Sequence, residues 1–171
     1  MSTASIQQAI EKTSRLIAEQ PEKARAKNVP ATARLIQGLR MESKGPNGET
    51  AHTDMPPAMG GEASAPSPGW LFRAAIASCT GTCIATKAAR QGISLATLEV
   101  TIESSSDNRG MLGLDDRISA GLSEIACRVK IGAEGVSAEK LRELVEWGDR
   151  HSPMACTARG TPSFSLAVEV V

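Results

Sequence analysis

Residues 67–92 carry apolar side chains nearly all the way round a helical cylinder: Leu71, Phe72, Ala74, Ala75, Ile76, Ala77, Cys79, Cys83, Ile84, Ala85, Ala88 and Ala89. That distribution predicts one long helix buried on most of its faces. Its ends are marked by Ser67 as a cap, Pro68 at the first helical position, Lys87 and Arg90 in the last turns, and Gly92 as a left-handed stop. Ala74, Ser78, Thr82, Ala85 and Ala89 form a stripe of small residues on which another backbone can approach closely.

The other segments have clear periods. Residues 5–27 predict an amphipathic helical arm, with Ile6, Ile10, Leu16 and Ile17 near one face and Pro21 bending or ending it. From 31 to 43 the period becomes two, with Ala33, Leu35, Gln37, Leu39 and Met41 on one side. Gly45-Pro46-Asn47-Gly48 then turns the chain into a polar return strand over 49–54. A connector rich in Pro, Gly and Ala leads to the long helix. After it, strands are expected over 95–103, with Leu98, Val100 and Ile102 inward, and over 122–131, with Ile125, Cys127, Val129 and Ile131 inward. Ser137 caps a second helix bearing Leu141, Leu144, Val145 and Gly148 on one face, and Pro153 interrupts it after His151. A last strand, 163–171, points Phe164, Leu166, Val168 and Val170 inward. Clean alternation implies mainly antiparallel sheets, so the expected class is α+β, with an arm over 1–30 and a domain over 31–171.

Composition adjusts this picture in two ways. Aromatic residues make up only 2% of the 171, so the core must be built from small aliphatic side chains that bury little area each. Burial at a subunit interface is the natural supplement. Nineteen basic and nineteen acidic residues give no net charge and no basic stripe, which argues against a nucleic-acid partner. Neither a signal sequence nor an unbroken membrane-length apolar run is apparent, so a cytoplasmic location away from membranes is expected, with Cys79, Cys83, Cys127 and Cys156 reduced.

The thiols are the candidate chemistry. Cys127, among inward Ile and Val, reads as a small core residue. Cys79 and Cys83 share a helix face four residues apart. With only His52 and His151 to add, they lack zinc spacing, so no metal or other cofactor is expected. Cys79 has no cation beside it on its own helix, so any activation must come from another segment: an arginine of the 31–43 strand, Arg40 or Arg34, or else His151. Asp54, ahead of Met55-Pro56-Pro57, reads as a turn residue.

Asp54-Met55-Pro56-Pro57-Ala58-Met59-Gly60-Gly61, then Ala65-Pro66-Ser67-Pro68, then Leu71 to Cys79, resemble the entry into the central helix of the OsmC/Ohr family of thiol-dependent hydroperoxide-resistance proteins. The resemblance extends over about 31–171 and implies an intertwined homodimer with buried central helices and two interface sites. It implies that Cys79 attacks an organic hydroperoxide as a thiolate, becomes a sulfenic acid and condenses with a second cysteine, after which a dithiol reductant completes the cycle. Two positions depart from the family pattern. Ser152-Pro153 stands in place of a Cys-Pro motif, and Gly69 stands where the Ohr branch has the glutamate of an activating arginine–glutamate pair.

Cys156, one turn beyond Ser152, is therefore the expected disulfide partner of Cys79, with Cys83 second, or else a small thiol resolves the sulfenic acid directly. The expected function is thiol-dependent reduction of organic hydroperoxides, with Cys79, Cys156, Arg40 and His151 as site residues. The alternative is a non-catalytic dimer binding a small apolar or electrophilic ligand at the interface.

Overall fold

Gly38 breaks the alternating stretch after residue 31 in two. Its φ of +55° is left-handed, and the chain reverses there, so β1 (Thr32–Gln37) and β2 (Arg40–Lys44) pair antiparallel with Leu35 opposite Met41. The expected single strand is thus a hairpin, because a period-two pattern continues unchanged across a tight reversal. The predicted turn at Gly45 to Gly48 does form, with Gly45 N–H donating to Glu49 O over 2.7 Å, and β3 (Thr50–Thr53) returns along β2.

The computed structural model describes residues 2–160 and 162–171; Met1 and Thr161 lie outside the described set. The chain divides into two compact units, Gln8–Ala75 and a second made of the residues up to Gln7 with Ile76–Val171. The first unit holds the three-stranded sheet β1-β2-β3 and the connector to the long helix. The N-terminal helix α1 (Thr3–Glu19) has no buried residue, and a turn of 3-10 helix follows at Pro21–Ala24, where the pyrrolidine ring opposes continuation.

Asp54 organises the connector. Only 3% exposed, its carboxylate accepts bonds from the N–H groups of Met55 (2.8 Å), Glu62 (3.2 Å) and Ser64 (3.0 Å) and from the Ser64 hydroxyl (2.8 Å). A side chain at Gly61 would collide with the Met55 carbonyl, so the loop closes tightly around the carboxylate. The bonds from Ser64, followed by those from Met55 and Glu62, hold the Asp54 carboxyl down at about 2, against the opposing effect of burial. A depressed folded-state pKa contributes stability that is complete above the unfolded value near 4 and is lost as pH falls through about 2. Acid titration of Asp54→Asn followed by circular dichroism should therefore show lower stability at neutral pH than wild type and a shallower decline between about pH 4 and 2.

The second unit contains the core. The long helix α2 (Pro68–Arg90) is capped as expected, with Gly92 at φ +70° and Ile93 N–H reaching back to Ala88 O. Its buried residues, Ile76, Thr80, Ile84, Ala88 and Ala89, form one stripe rather than the full circumference expected. The reason is the number of layers: within one chain only one face of the helix has elements to pack against. Those elements are the antiparallel ribbon β4 (Thr97–Ser106) with β5 (Leu122–Gly132) and the helix α4 (Ala138–Arg150), joined through a one-turn helix, α3 (Asn108–Met111), in the β4–β5 loop. Ile84, Ala88 and Leu144 make the centre, and Leu98, Val100, Val129 and Ile131 close it from the ribbon. Gly148 lies directly on Ile84, close enough that an added Cβ would overlap the Ile84 side chain and come within 2.8 Å of its backbone nitrogen. Gly81 faces Val100 of β4.

Two expectations are corrected here. Cys127 is exposed, not core, because the inward face of β5 is covered only toward Val129 and Ile131. The last segment, 162–171, forms no strand, and Phe164, Leu166, Val168 and Val170 are all more than three-quarters exposed. Among the described residues this segment pairs with no edge of either sheet.

Candidate active site

Three segments of the second unit meet where α4 ends and α5 (Pro153–Arg159) begins. His151 is the C-cap of α4, and Ser152 caps α5, accepting from Ala155 N–H at 3.3 Å with Pro153 in the first turn. The Pro153 interruption thus yields two helices set against one face of α2. Thr80 of α2 hydrogen bonds to the Ser152 hydroxyl at 3.1 Å, and both residues are fully buried. Ser152 Oγ thus accepts from both Thr80 and the Ala155 N–H, and its hydroxyl cannot form a disulfide. A buried hydroxyl left without a partner costs about 1–3 kcal/mol, so the pair holds α5 against α2. Thr80 is not among the residues singled out from sequence, although its place four residues from both Ile76 and Ile84 puts a polar group in the buried stripe.

Cys79 and Cys83 are half-buried, one turn apart on α2. Cys83 donates to His151 O at 3.3 Å, and Cys156 of α5 donates to Arg150 O at 3.3 Å. Burial pushes the Cys83 thiol up, and the neighbouring Cys79 and Cys156 thiols add to the rise. Of the residues singled out from sequence, Cys79, Cys83, Cys156 and His151 therefore lie in one unit. The His151 ring is engaged elsewhere: its Nδ1 is 2.8 Å from Trp147 O and the imidazole stacks on the Trp147 indole at 4.0 Å, with the Lys87 ammonium 5.0 Å from the same indole.

Arg40, on β2 of the first unit, has a buried Nε without a hydrogen-bond partner among the described residues, and it lines a cavity of about 240 Å³ with Gln37, Asp54 and Gly61. Arg34, on β1, is exposed.

A second cavity of about 290 Å³ lies between α2, the ribbon and α5, with Ile76, Ile102, Ile125 and Cys127 on its walls and the Asp149–Arg159 ion pair (2.6 Å) beside them. Partial burial raises the Cys127 thiol, Asp149 raises it further and Arg159 opposes them.

A family model described as OsmC-like protein matches residues 61–167, from Gly61 beside Asp54 through both α2 cysteines into the chain's last apolar segment. This chain belongs to the OsmC-like protein family. The fold agrees. An OsmC-like protein from Mycoplasma pneumoniae superposes with a TM-score of 0.67 at 19% identity, covering 80% of this chain and 91% of that one. An organic hydroperoxide resistance protein OsmC from Legionella pneumophila gives 0.57 at 22% identity, covering 79% and 93%. The organic hydroperoxide resistance protein OhrB of Bacillus subtilis gives 0.52 at 23% identity, also covering 79% and 93%. No curated protein matches the sequence. In this OsmC-like protein the sequence-level departure at Ser152 has a structural counterpart: the hydroxyl is a cap and a core partner, while the thiols lie on either side of it in sequence and in the same corner of the fold. Among the described residues no helix is long and apolar enough to cross a membrane.

Proposed function

We propose that this OsmC-like protein is a homodimer that reduces organic hydroperoxides through Cys79, in peroxide defence. The observation that carries the reading is the gathering of Cys79, Cys83 and Cys156 at the junction of α2, α4 and α5. A family likeness brings the chemistry into consideration, and a second thiol beside the first is what that chemistry needs. Cys79 as thiolate attacks one peroxide oxygen, the O–O bond breaks, and the departing alkoxide takes a proton to leave as alcohol. Cys79 is left as a sulfenic acid, which a further thiol converts to a disulfide with loss of water. An external dithiol then restores the two thiols, with no resident cofactor in the cycle.

The family resemblance, with its activating arginine, is what suggests Arg40 or Arg34 as the cation for Cys79. His151 enters the reading only through its backbone, since its ring is held by Trp147. The dimer rests on surface left open by the single chain. Ser78, Thr82 and Ala85 of the small-residue stripe are exposed, as is the alternating apolar row of 162–171. A second copy would bury both.

The experiment is to expose the native protein to cumene hydroperoxide with dimedone present. A dimedone adduct on Cys79, absent from Cys79→Ser, is the expected result. No adduct under excess hydroperoxide would overturn the proposal. It would favour instead a non-catalytic dimer with a ligand in the cavity beside Cys127.

A further inference from the structure

The thiols nearest Cys79 do not lie equally close to it in the order of contacts. Cys83 is one turn away on the same helix and shares its surroundings with both Cys79 and Cys156. Cys83 and Cys156 donate to the adjacent carbonyls of His151 and Arg150, so α2 and α5 each present a thiol to the same short piece of backbone. Ser152, between those carbonyls and α5, is tied to Thr80 and contributes no sulfur.

We propose that Cys83 and Cys156 are the resolving dithiol: Cys83 takes the oxidising equivalent from Cys79 and passes it to Cys156, leaving a disulfide that joins α2 to α5. This rests on the peroxidase reading above. In the first step the Cys83 thiolate attacks the sulfenic sulfur of Cys79. An S–S bond forms, the S–O bond breaks, and hydroxide leaves with a proton as water. In the second step the Cys156 thiolate attacks the Cys83 sulfur, and the Cys79–Cys83 bond breaks. Cys79 departs as thiolate, ready for another hydroperoxide. The sum is one hydroperoxide and two thiols converted to alcohol, water and one disulfide.

Helix geometry sets the direction. Side chains four apart on a helix have Cβ atoms about 5–6 Å apart. A disulfide needs about 3.5–4.5 Å. A Cys79–Cys83 bond therefore strains α2 and is the more reducible of the two, which drives transfer to Cys156 across the helix junction. Cys156 is exposed, so an external dithiol can reach the final bridge where Cys83 alone is half-buried. Cys127 takes no part, since its thiol lies in the cavity under the influence of Asp149.

The test uses the full chain, oxidised with one equivalent of cumene hydroperoxide, alkylated, digested without reduction and analysed by mass spectrometry. The expected product is a peptide pair linked through Cys83 and Cys156, with Cys79 recovered as free thiol. Cys83→Ser and Cys156→Ser should each lower steady-state turnover with dihydrolipoamide at least tenfold, while the first oxidation of Cys79 proceeds at the wild-type rate. Cys83→Ser should accumulate dimedone-reactive Cys79. Cys156→Ser should stop at the Cys79–Cys83 bridge. Cys127→Ser should behave as wild type. A Cys79–Cys156 link with Cys83 free would overturn the relay, as would Cys79 driven to sulfinic acid with both other thiols free. In either case the peroxidase reading stands. Cys79 untouched by hydroperoxide would overturn both.

Discussion

Cys79→Ser is expected to reduce hydroperoxide consumption to the background rate of the reductant alone, while the protein keeps its fold. The thiol supplies a polarizable nucleophile; a serine hydroxyl is not ionised near neutral pH and does not cleave an O–O bond. Neither Cys83 nor Cys127 is expected to take its place toward the hydroperoxide. Cys83 is raised by burial and hydrogen-bonded to His151 O, and Cys127 is raised by burial and Asp149. Cys79 is half-buried, and the exchange removes only the difference between sulfur and oxygen, so stability should change little. Anaerobic assays with cumene hydroperoxide and dihydrolipoamide, beside a thermal melt, check both statements. Retention of more than about a tenth of the wild-type rate, which is under 1.4 kcal/mol of barrier, would remove Cys79 from the chemistry.

Gly148→Ala is the structural counterpart. In an exposed helix interior this change would stabilise by about 1 kcal/mol, because alanine loses less backbone entropy than glycine. At position 148 the new methyl would overlap the Ile84 side chain and sit within 2.8 Å of the Ile84 nitrogen and 3.0 Å of its Cα, both backbone atoms of the central helix. Backbone cannot move aside as a side-chain tip can, so α4 must shift off α2. Overpacking of this kind costs about 1–3 kcal/mol and outweighs the gain in propensity. At about 2–4 °C per kcal/mol for a chain of this size, the melting temperature should fall by several degrees despite the better helix former. Because α4 ends at His151, whose carbonyl receives the Cys83 thiol, the same substitution should also change the alkylation rate of Cys83. An unchanged or raised melting temperature would show that the two helices are not so closely apposed.

Much of this protein is legible along the chain. The caps and extent of α2, the turn at Gly45–Gly48, the inward rows of β4 and the apolar face of α4 follow from local chemistry, since each depends on side chains within a few residues of one another. The failures have one common cause. Gly38 reverses the chain inside a continuous alternation, Cys127 is exposed on its strand, and the alternating row at 162–171 pairs with no strand among the described residues. In each case the pattern states which face is apolar and not what lies opposite.

By itself, then, the sequence determined the order and kind of most elements and the family of the fold, because periodicity and capping are short-range and the matching motifs lie in series along the chain. Only the tertiary structure decided that Thr80 and Ser152 form a buried pair, that Asp54 gathers three backbone N–H groups, and that Cys83 and Cys156 meet at consecutive carbonyls. The hydroxyl and thiol pairs join residues some seventy positions apart, and the Asp54 loop depends on a close approach at Gly61. Such meetings are set by how helices and loops pack, a long-range property that local pattern does not encode.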